Sequence, residues 1–227
     1  MNFNKLIELN NLAKDSVKPY LRHRKLYFEL LNDTGKHFVG VVGPRGVGKT
    51  IILKQLALKT ENSFYISMES FDGNMFDVIK ELKEKLKITV FFLDEVHGYA
   101  AFDKEIQSVY ELLNVKIFFT SSIAIAMAKY RNDISRRVLL KELYPFSLRE
   151  YIEFKNNFVL PPLSFDNFIN EPISQDFLIL GNNFEPYLKG ALMPFALEEP
   201  AVLPLLSNIL NAVIYKDIPK INPHISL

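Results

Sequence analysis

Residues Gly40–Leu53 read GVVGPRGVGKTIIL. Four of the chain's 9 glycines, Gly40, Gly43, Gly46 and Gly48, fall within nine positions, and Lys49 and Thr50 follow directly. A tight turn needs one or two glycines. Four of them behind an apolar run imply that something comes very close to the backbone. Residues 43–50 match G-x-x-x-x-G-K-S/T with an apolar strand before it and a helical pattern after it, the context that this motif requires. Glycines in such a loop let backbone N–H groups point inward at phosphate oxygens. The helix start near Gly48 adds its dipole. Lys49 supplies a full charge to the β- and γ-phosphates, and Thr50 supplies a hydroxyl to Mg²⁺. The candidate nucleotide-binding set is Gly43, Pro44, Arg45, Gly46, Val47, Gly48, Lys49, Thr50 and Ile51. A merely structural strand–helix turn is the plain alternative, and the flanking context disfavours it.

Working outward, apolar runs of strand length recur at His37–Gly43, Ser63–Met68, Ile88–Leu93, Val115–Thr120 and Val138–Leu143. They are rich in β-branched and aromatic residues and mostly apolar on both faces, as parallel strands covered on both sides are. Helical spacing lies between them at Lys49–Leu58, Asn74–Leu86, Asp103–Leu113 and Ile123–Tyr130. Asn74 suits an N-cap, and Glu81 with Lys85 forms an i,i+4 pair. Five strand–helix alternations predict a doubly wound α/β domain. Ahead of it, Pro19–Leu31 reads as a helix with Pro19 in its first turn and a basic cluster Arg22, His23, Arg24 and Lys25.

The third run continues as TVFFLDEVH and ends in two carboxylates. Asp94 at the strand tip is placed to hold the Mg²⁺ shell with Thr50. Glu95, one residue on, can orient or deprotonate a water facing the γ-phosphorus. Its bland alternative is a solvated loop carboxylate. The fourth run ends in Thr120, Ser121 and Ser122, a polar tip that would lie beside the γ-phosphate. Ser121 is the favoured sensor there, and capping of the next helix by Ser122 is the competing use. Arg131, Arg136 and Arg137 precede the fifth strand; arginine suits developing phosphoryl charge, and a solvated basic loop is the alternative.

The chain has 227 residues, 48% of them hydrophobic, enough for one ordinary domain plus an appendage. It contains no Cys, which excludes disulfides, thiolate metal sites and a thiol nucleophile, and suits a reducing cytoplasm. The N-terminus lacks a signal-peptide core and no apolar run reaches about 18 residues, so a soluble, cytoplasmic chain without membrane contact is expected. Net charge is +1, but residues 1–150 carry 23 basic and 18 acidic residues, whereas residues 151–227 carry 4 and 8. The mild basic surplus suits a small anionic ligand and is weak support for nucleic acid. Nine of the 12 prolines follow position 150. The expected division is therefore a core with N-terminal helices over 1–150, and a helical lid or the start of a C-terminal domain over 151–227. The boundary falls near Tyr144–Phe154. In the second part Ala201–Tyr215 is the one convincing long helix, and the ending IPKINPHISL reads as cut off.

The strand, GPRGVGKT loop, FLDEVH, TSS and RRVLLKELYPFSLREY together resemble AAA-type P-loop ATPases. Within them the chain is similar to the prokaryotic family whose ATPase core is followed by a C-terminal domain of unknown function; YLKGALMP at Tyr187–Pro194 and IYKDI at Ile214–Ile218 also fit. The resemblance implies a three-layer α/β/α sandwich on a parallel five-stranded sheet of order 5-1-4-3-2, with a smaller helical C-terminal appendage. It also implies ATP and Mg²⁺ as ligands, Lys49, Glu95, Ser121 and Arg137 as catalytic residues, and Thr50 and Asp94 at the metal. Arg137 occupies the place of an arginine finger, which implies a homo-oligomer. The small residue that usually precedes that arginine is here Arg136.

Three function classes stay open from sequence. One is an ATPase acting as a switch or motor, with a link to nucleic-acid transactions among its uses. The second is a P-loop kinase with RNDISRR as a phosphate-clamping lid. The third is a module that binds ATP with little turnover. The adjacent carboxylates and polar fourth-strand tip favour hydrolysis, and the lack of an N/T-K-x-D base-reading motif disfavours a GTPase.

Overall fold

The computed structural model describes residues 3–69, 71–122, 136–160, 164–170 and 177–221. These divide into two compact units, residues 1–143 with 217–227, and residues 144–216. The expected helix Ile123–Tyr130 and Arg131 lie outside the described residues.

The first unit runs α1 (Phe3–Asp15), α2 (Lys25–Leu31), β1 (Phe38–Gly43), α3 (Lys49–Lys59), β2 (Ser63–Ser67), α4 (Met75–Leu86), β3 (Val90–Asp94), α5 (Phe102–Leu112), β4 (Lys116–Ser122) and β5 (Val138–Glu142). All strand pairs are parallel, and the sheet order β2-β3-β4-β1-β5 is the expected 5-1-4-3-2 read from the other edge. Period-two alternation sends Phe91, Leu93, Ile117, Phe119 and Val42 to one face. There they pack with Ile79 and Leu82 of α4 and with Ile106 and Val109 of α5. The opposite face carries Phe92 and Phe118, whose rings stack 5.3 Å apart. It is covered by α3, whose Ile52, Leu53 and Leu56 are buried. This is the α/β/α sandwich of a P-loop NTPase.

The β2 edge is closed by α1. Asn10 Oδ1 accepts a hydrogen bond from the Tyr65 N–H at 2.9 Å, and Lys14 Nζ donates to the Ser63 carbonyl at 2.9 Å. Two outward backbone groups of this edge strand are thus engaged by side chains, which blunts the edge. Asn74 caps α4 as expected, its side chain accepting from the Asp77 N–H.

The helix expected over Pro19–Leu31 begins only at Lys25. Residues 20–24 stay irregular because the Gln55 side-chain amide of α3 donates to the carbonyls of Tyr20 (2.9 Å) and Arg22 (3.0 Å). Those carbonyls are thereby taken from any intrahelical ladder. Gly40 also has a different reason than the one its company suggests. A Cβ there would lie 2.6 Å from the Phe119 ring, so this glycine serves sheet packing rather than a ligand.

In the second unit, α6 (Leu148–Asn156) starts with a capping box, in which Ser147 and Glu150 exchange backbone-to-side-chain hydrogen bonds. Its core joins Phe146, Tyr151, Ile152, Leu160 and Ala191. Short helices α7 (Phe165–Asn170) and α8 (Leu178–Pro186) precede α9 (Val202–Ala212). The helix expected over Ala201–Tyr215 thus stops at Ala212 and continues as a π-turn over Val213–Asp217, before α10 (Ile218–Ile221) of the first unit. No helix among the described residues is long and apolar enough to cross a membrane.

Candidate functional site

The loop between β1 and α3 is built by two glycines in the left-handed region, Gly46 (φ 83°) and Gly48 (φ 94°). A side chain at either would be strained, so the sequence can close so tight a loop only with glycine. The loop wraps its own lysine. Lys49 is buried, and its Nζ donates to the carbonyls of Gly43 (2.8 Å) and Pro44 (2.9 Å). Thr50 and Ile51 are half-buried in the first turn of α3.

Two strands away, Asp94 ends β3 and is 3% exposed. Its Oδ2 accepts a 2.7 Å hydrogen bond from the Tyr65 hydroxyl on β2, and its Oδ1 accepts from the Thr120 hydroxyl on β4. Burial, and then the charge of Asp94, push the Tyr65 phenol far above its ordinary value, so it remains a donor. Thr120 also accepts from the Glu95 N–H at 2.8 Å. One hydroxyl therefore fixes both acidic residues.

Glu95 adopts φ 56° and ψ 47°, a left-handed conformation that costs a non-glycine residue on the order of 1 kcal/mol. The turn redirects its carboxylate out of the strand line. His97 Nδ1 lies 3.0 Å from Glu95 Oε2, close enough for an ion pair when the imidazole is protonated. Burial alone would raise the Glu95 carboxyl. The adjacent His97 imidazole, the Lys49 ammonium and the Arg45 guanidinium outweigh it and hold the carboxyl below its usual range. Glu95, Lys49 and Arg45 thus share one electrostatic neighbourhood across the two strand tips.

Ser121 pairs with Val42 in register, next to the loop, and is fully buried, with no hydrogen-bond partner for its Oγ among the described residues. A buried, unpartnered hydroxyl beside a phosphate-binding loop is open to a ligand or water. Arg137 lies elsewhere. Its carbonyl accepts from the Phe38 N–H at the start of β1, the opposite end of that strand from the loop, and its guanidinium pairs with Glu111 at 2.5 Å. Arg136 is exposed.

Among the described residues, no group of three or more His, Asp and Glu side chains gathers to cage a metal ion by itself. A threonine hydroxyl and one carboxylate beside a phosphate loop are the sparse protein donor set that Mg²⁺ takes when phosphates and waters complete its shell. Thr50 and Asp94 fit that role.

Tyr65, His97 and Arg24 have no role in the motif spacing, and Thr120 figures there only as part of the polar strand tip, not as the group that holds both carboxylate residues. Arg24 is buried, and its Nη1 donates to the Val47 carbonyl in the loop at 3.0 Å. Tyr65 had a readable signal, since a tyrosine in a buried strand needs a partner for its hydroxyl.

The chain is 27% identical over 236 residues to an uncharacterized protein of Methanocaldococcus jannaschii, a match covering 93% of this chain and 48% of that one. The chain therefore spans about half the length of the curated relative it matches. Among solved structures, the ADP complex of S. cerevisiae Hsp104 superposes with a TM-score of 0.53 at 13% identity, covering 92% of this chain and 35% of that one. C. elegans PCH-2 gives 0.45 at 18% identity, covering 96% and 69%. The family model described as AAA domain matches residues 35–152, which hold the loop, both carboxylates, the fourth-strand tip and the fifth strand. The chain belongs to the AAA-domain family of P-loop ATPases.

Proposed function

We propose that the chain binds Mg-ATP at Gly43–Ile51 and hydrolyses it to ADP and phosphate, acting as a switch or motor. The observation that carries this reading is the neighbourhood of Lys49, Arg45 and Glu95. A carboxylate is held ionised beside the cations of a phosphate-binding loop. Lys49 exchanges the Gly43 and Pro44 carbonyls for phosphate oxygens, and the loop N–H groups share the remaining charge. Thr50 and Asp94 would hold Mg²⁺, which would supply charge neutralisation at the phosphates. Glu95, ionised at the strand tip, orients or deprotonates the attacking water. Ser121 offers its unpartnered hydroxyl to that water or to the γ-phosphate. A use in nucleic-acid transactions draws on the family resemblance and gains nothing from the chain's near-neutral charge.

The test is phosphate release with Mg-ATP, read together with nucleotide titration. Wild type should release free phosphate, with none transferred to an acceptor. Lys49→Ala should lose at least about tenfold in ATP affinity, roughly 1.4 kcal/mol. Unchanged affinity in that variant would remove the phosphate-loop reading.

A further inference from the structure

Arg24 belongs to none of the motifs, yet it is 8% exposed and sends its guanidinium into the phosphate loop. Its Nη1 donates to the Val47 carbonyl at 3.0 Å, while Gln55 of α3 fixes the carbonyls of Tyr20 and Arg22 just before it. The segment ahead of α2 is thus tied twice, once to the loop and once to the helix that the loop opens. Val47 itself is fully buried and lies between the two left-handed glycines. No cis peptide bond occurs among the described residues. In a planar trans peptide the C=O and the following N–H point in opposite directions.

We infer that Arg24 is a positioning residue for phosphate binding: by holding the Val47 carbonyl on one side of the loop, it turns the Gly48 N–H of the same peptide toward the bound phosphates. Gly48, with no Cβ, allows the Val47–Gly48 peptide to flip at low steric cost, so the loop's sequence alone does not choose between the two orientations. A charge-assisted hydrogen bond from a buried guanidinium does choose, because a flip would break that bond to the Val47 carbonyl in a buried setting. The inference rests on the phosphate-loop reading and deepens it: the site's ligand class is set by phosphate, and an element outside the motif shapes the phosphate cradle.

The experiment titrates wild type, Lys49→Ala, Arg24→Met and Arg24→Lys with ADP and with inorganic tripolyphosphate, which has no base, and records melting temperatures. Arg24→Met keeps an unbranched stem but no donor, and should weaken both ligands at least about tenfold with its melting temperature little changed. Arg24→Lys can still donate one hydrogen bond to Val47 and should recover most of that loss. If Arg24→Met unfolds, the lysine variant decides alone: it should bind tripolyphosphate within about threefold of wild type. Tripolyphosphate binding unaltered in Arg24→Met overturns the inference, whether or not ADP binding falls, since the residue would then act on the base or not at all. A folded Arg24→Lys that binds as poorly as Arg24→Met overturns it as well. Failure of the wild type to bind ADP, or indifference of ADP binding to Lys49→Ala, instead overturns the phosphate-loop reading on which it rests.

Discussion

Asp94 has both carboxylate oxygens engaged, Oδ1 by the Thr120 hydroxyl and Oδ2 by Tyr65, at the end of a strand paired in register with β2. Each oxygen retains a lone pair, which suits a fixed acceptor for metal-bound water. Glu95, the next residue, leaves the strand through a left-handed turn, and its side chain keeps 24% exposure. Neighbouring carboxylates in so different a setting should fail differently. Glu95→Gln should retain ATP affinity and slow hydrolysis by about 10²-fold or more, because only its action on the attacking water is lost. Asp94→Asn should lose Mg²⁺-dependent binding and turnover together. It also presents an NH₂ where a carboxylate oxygen now accepts from Tyr65 or Thr120. Nucleotide titration with and without Mg²⁺, beside phosphate release, separates the two, and equal defects in both variants would mean that the roles are exchanged or shared.

The turn that feeds β1 is held by one lysine at the start of β4. Lys116 Nζ donates to Asp33 Oδ1 (2.8 Å), the Gly35 carbonyl (2.7 Å) and the His37 carbonyl (2.6 Å). Fixing residues 33–37 fixes the entry of β1, and β1 leads into the phosphate loop. Lys116→Met removes all three donors and should destabilise the protein by about 2 kcal/mol, leaving a largely buried carboxylate and two carbonyls to find water. Burial by itself would raise the Asp33 carboxyl; the Lys116 ammonium and the Gly35 N–H outweigh it and bring it below its ordinary value. A carboxyl lowered in the folded state stabilises above its unfolded pKa of about 3.9, and that contribution is lost as pH falls through the folded value. Denaturant titrations at neutral pH and below that range should therefore show the Lys116→Met deficit shrinking in acid; a deficit independent of pH would exclude the Asp33 linkage. The strands were readable in the sequence because buried parallel strands are continuous apolar runs, and each observed strand begins or ends within two residues of its expected limits. Asn74 and the glycine loop were readable because each is a local device. Lys116, Gln55 and Arg24 were not, and for Tyr65 only the need of a partner was readable, not which partner. Their partners lie 29 or more residues away, or, for Arg24, 23 residues away in a loop whose glycines suggest only a ligand. Spacing in sequence cannot show a pair that only the sheet order brings together.

Arg137 poses a question of assembly. Its backbone pairs with the first residue of β1, and five residues of strand, about 16 Å at 3.3 Å per residue, separate that point from Gly43. The guanidinium is further engaged by Glu111 near the C-terminal end of α5, at the same end of the sheet. Within one subunit it therefore does not serve its own phosphate loop. An arginine at this position can act on phosphate only from a neighbouring subunit. Arginine fingers supply about 10³–10⁵ in rate. The half-exposed pair with Glu111 is worth little, at most about 1 kcal/mol, so a subunit interface can exchange it for phosphate. The isolated chain should hydrolyse ATP slowly, with activity per subunit rising with protein concentration. Mixing gives the decisive measurement. An Arg137→Ala subunit keeps an intact site and lacks the finger, whereas a Lys49→Ala subunit keeps the finger and lacks the site. Each alone should be nearly inactive, and the mixture should regain part of the wild-type rate. Activity per subunit that stays flat with concentration, together with no recovery on mixing, would leave Arg137 as the structural partner of Glu111 and place catalysis within the single subunit.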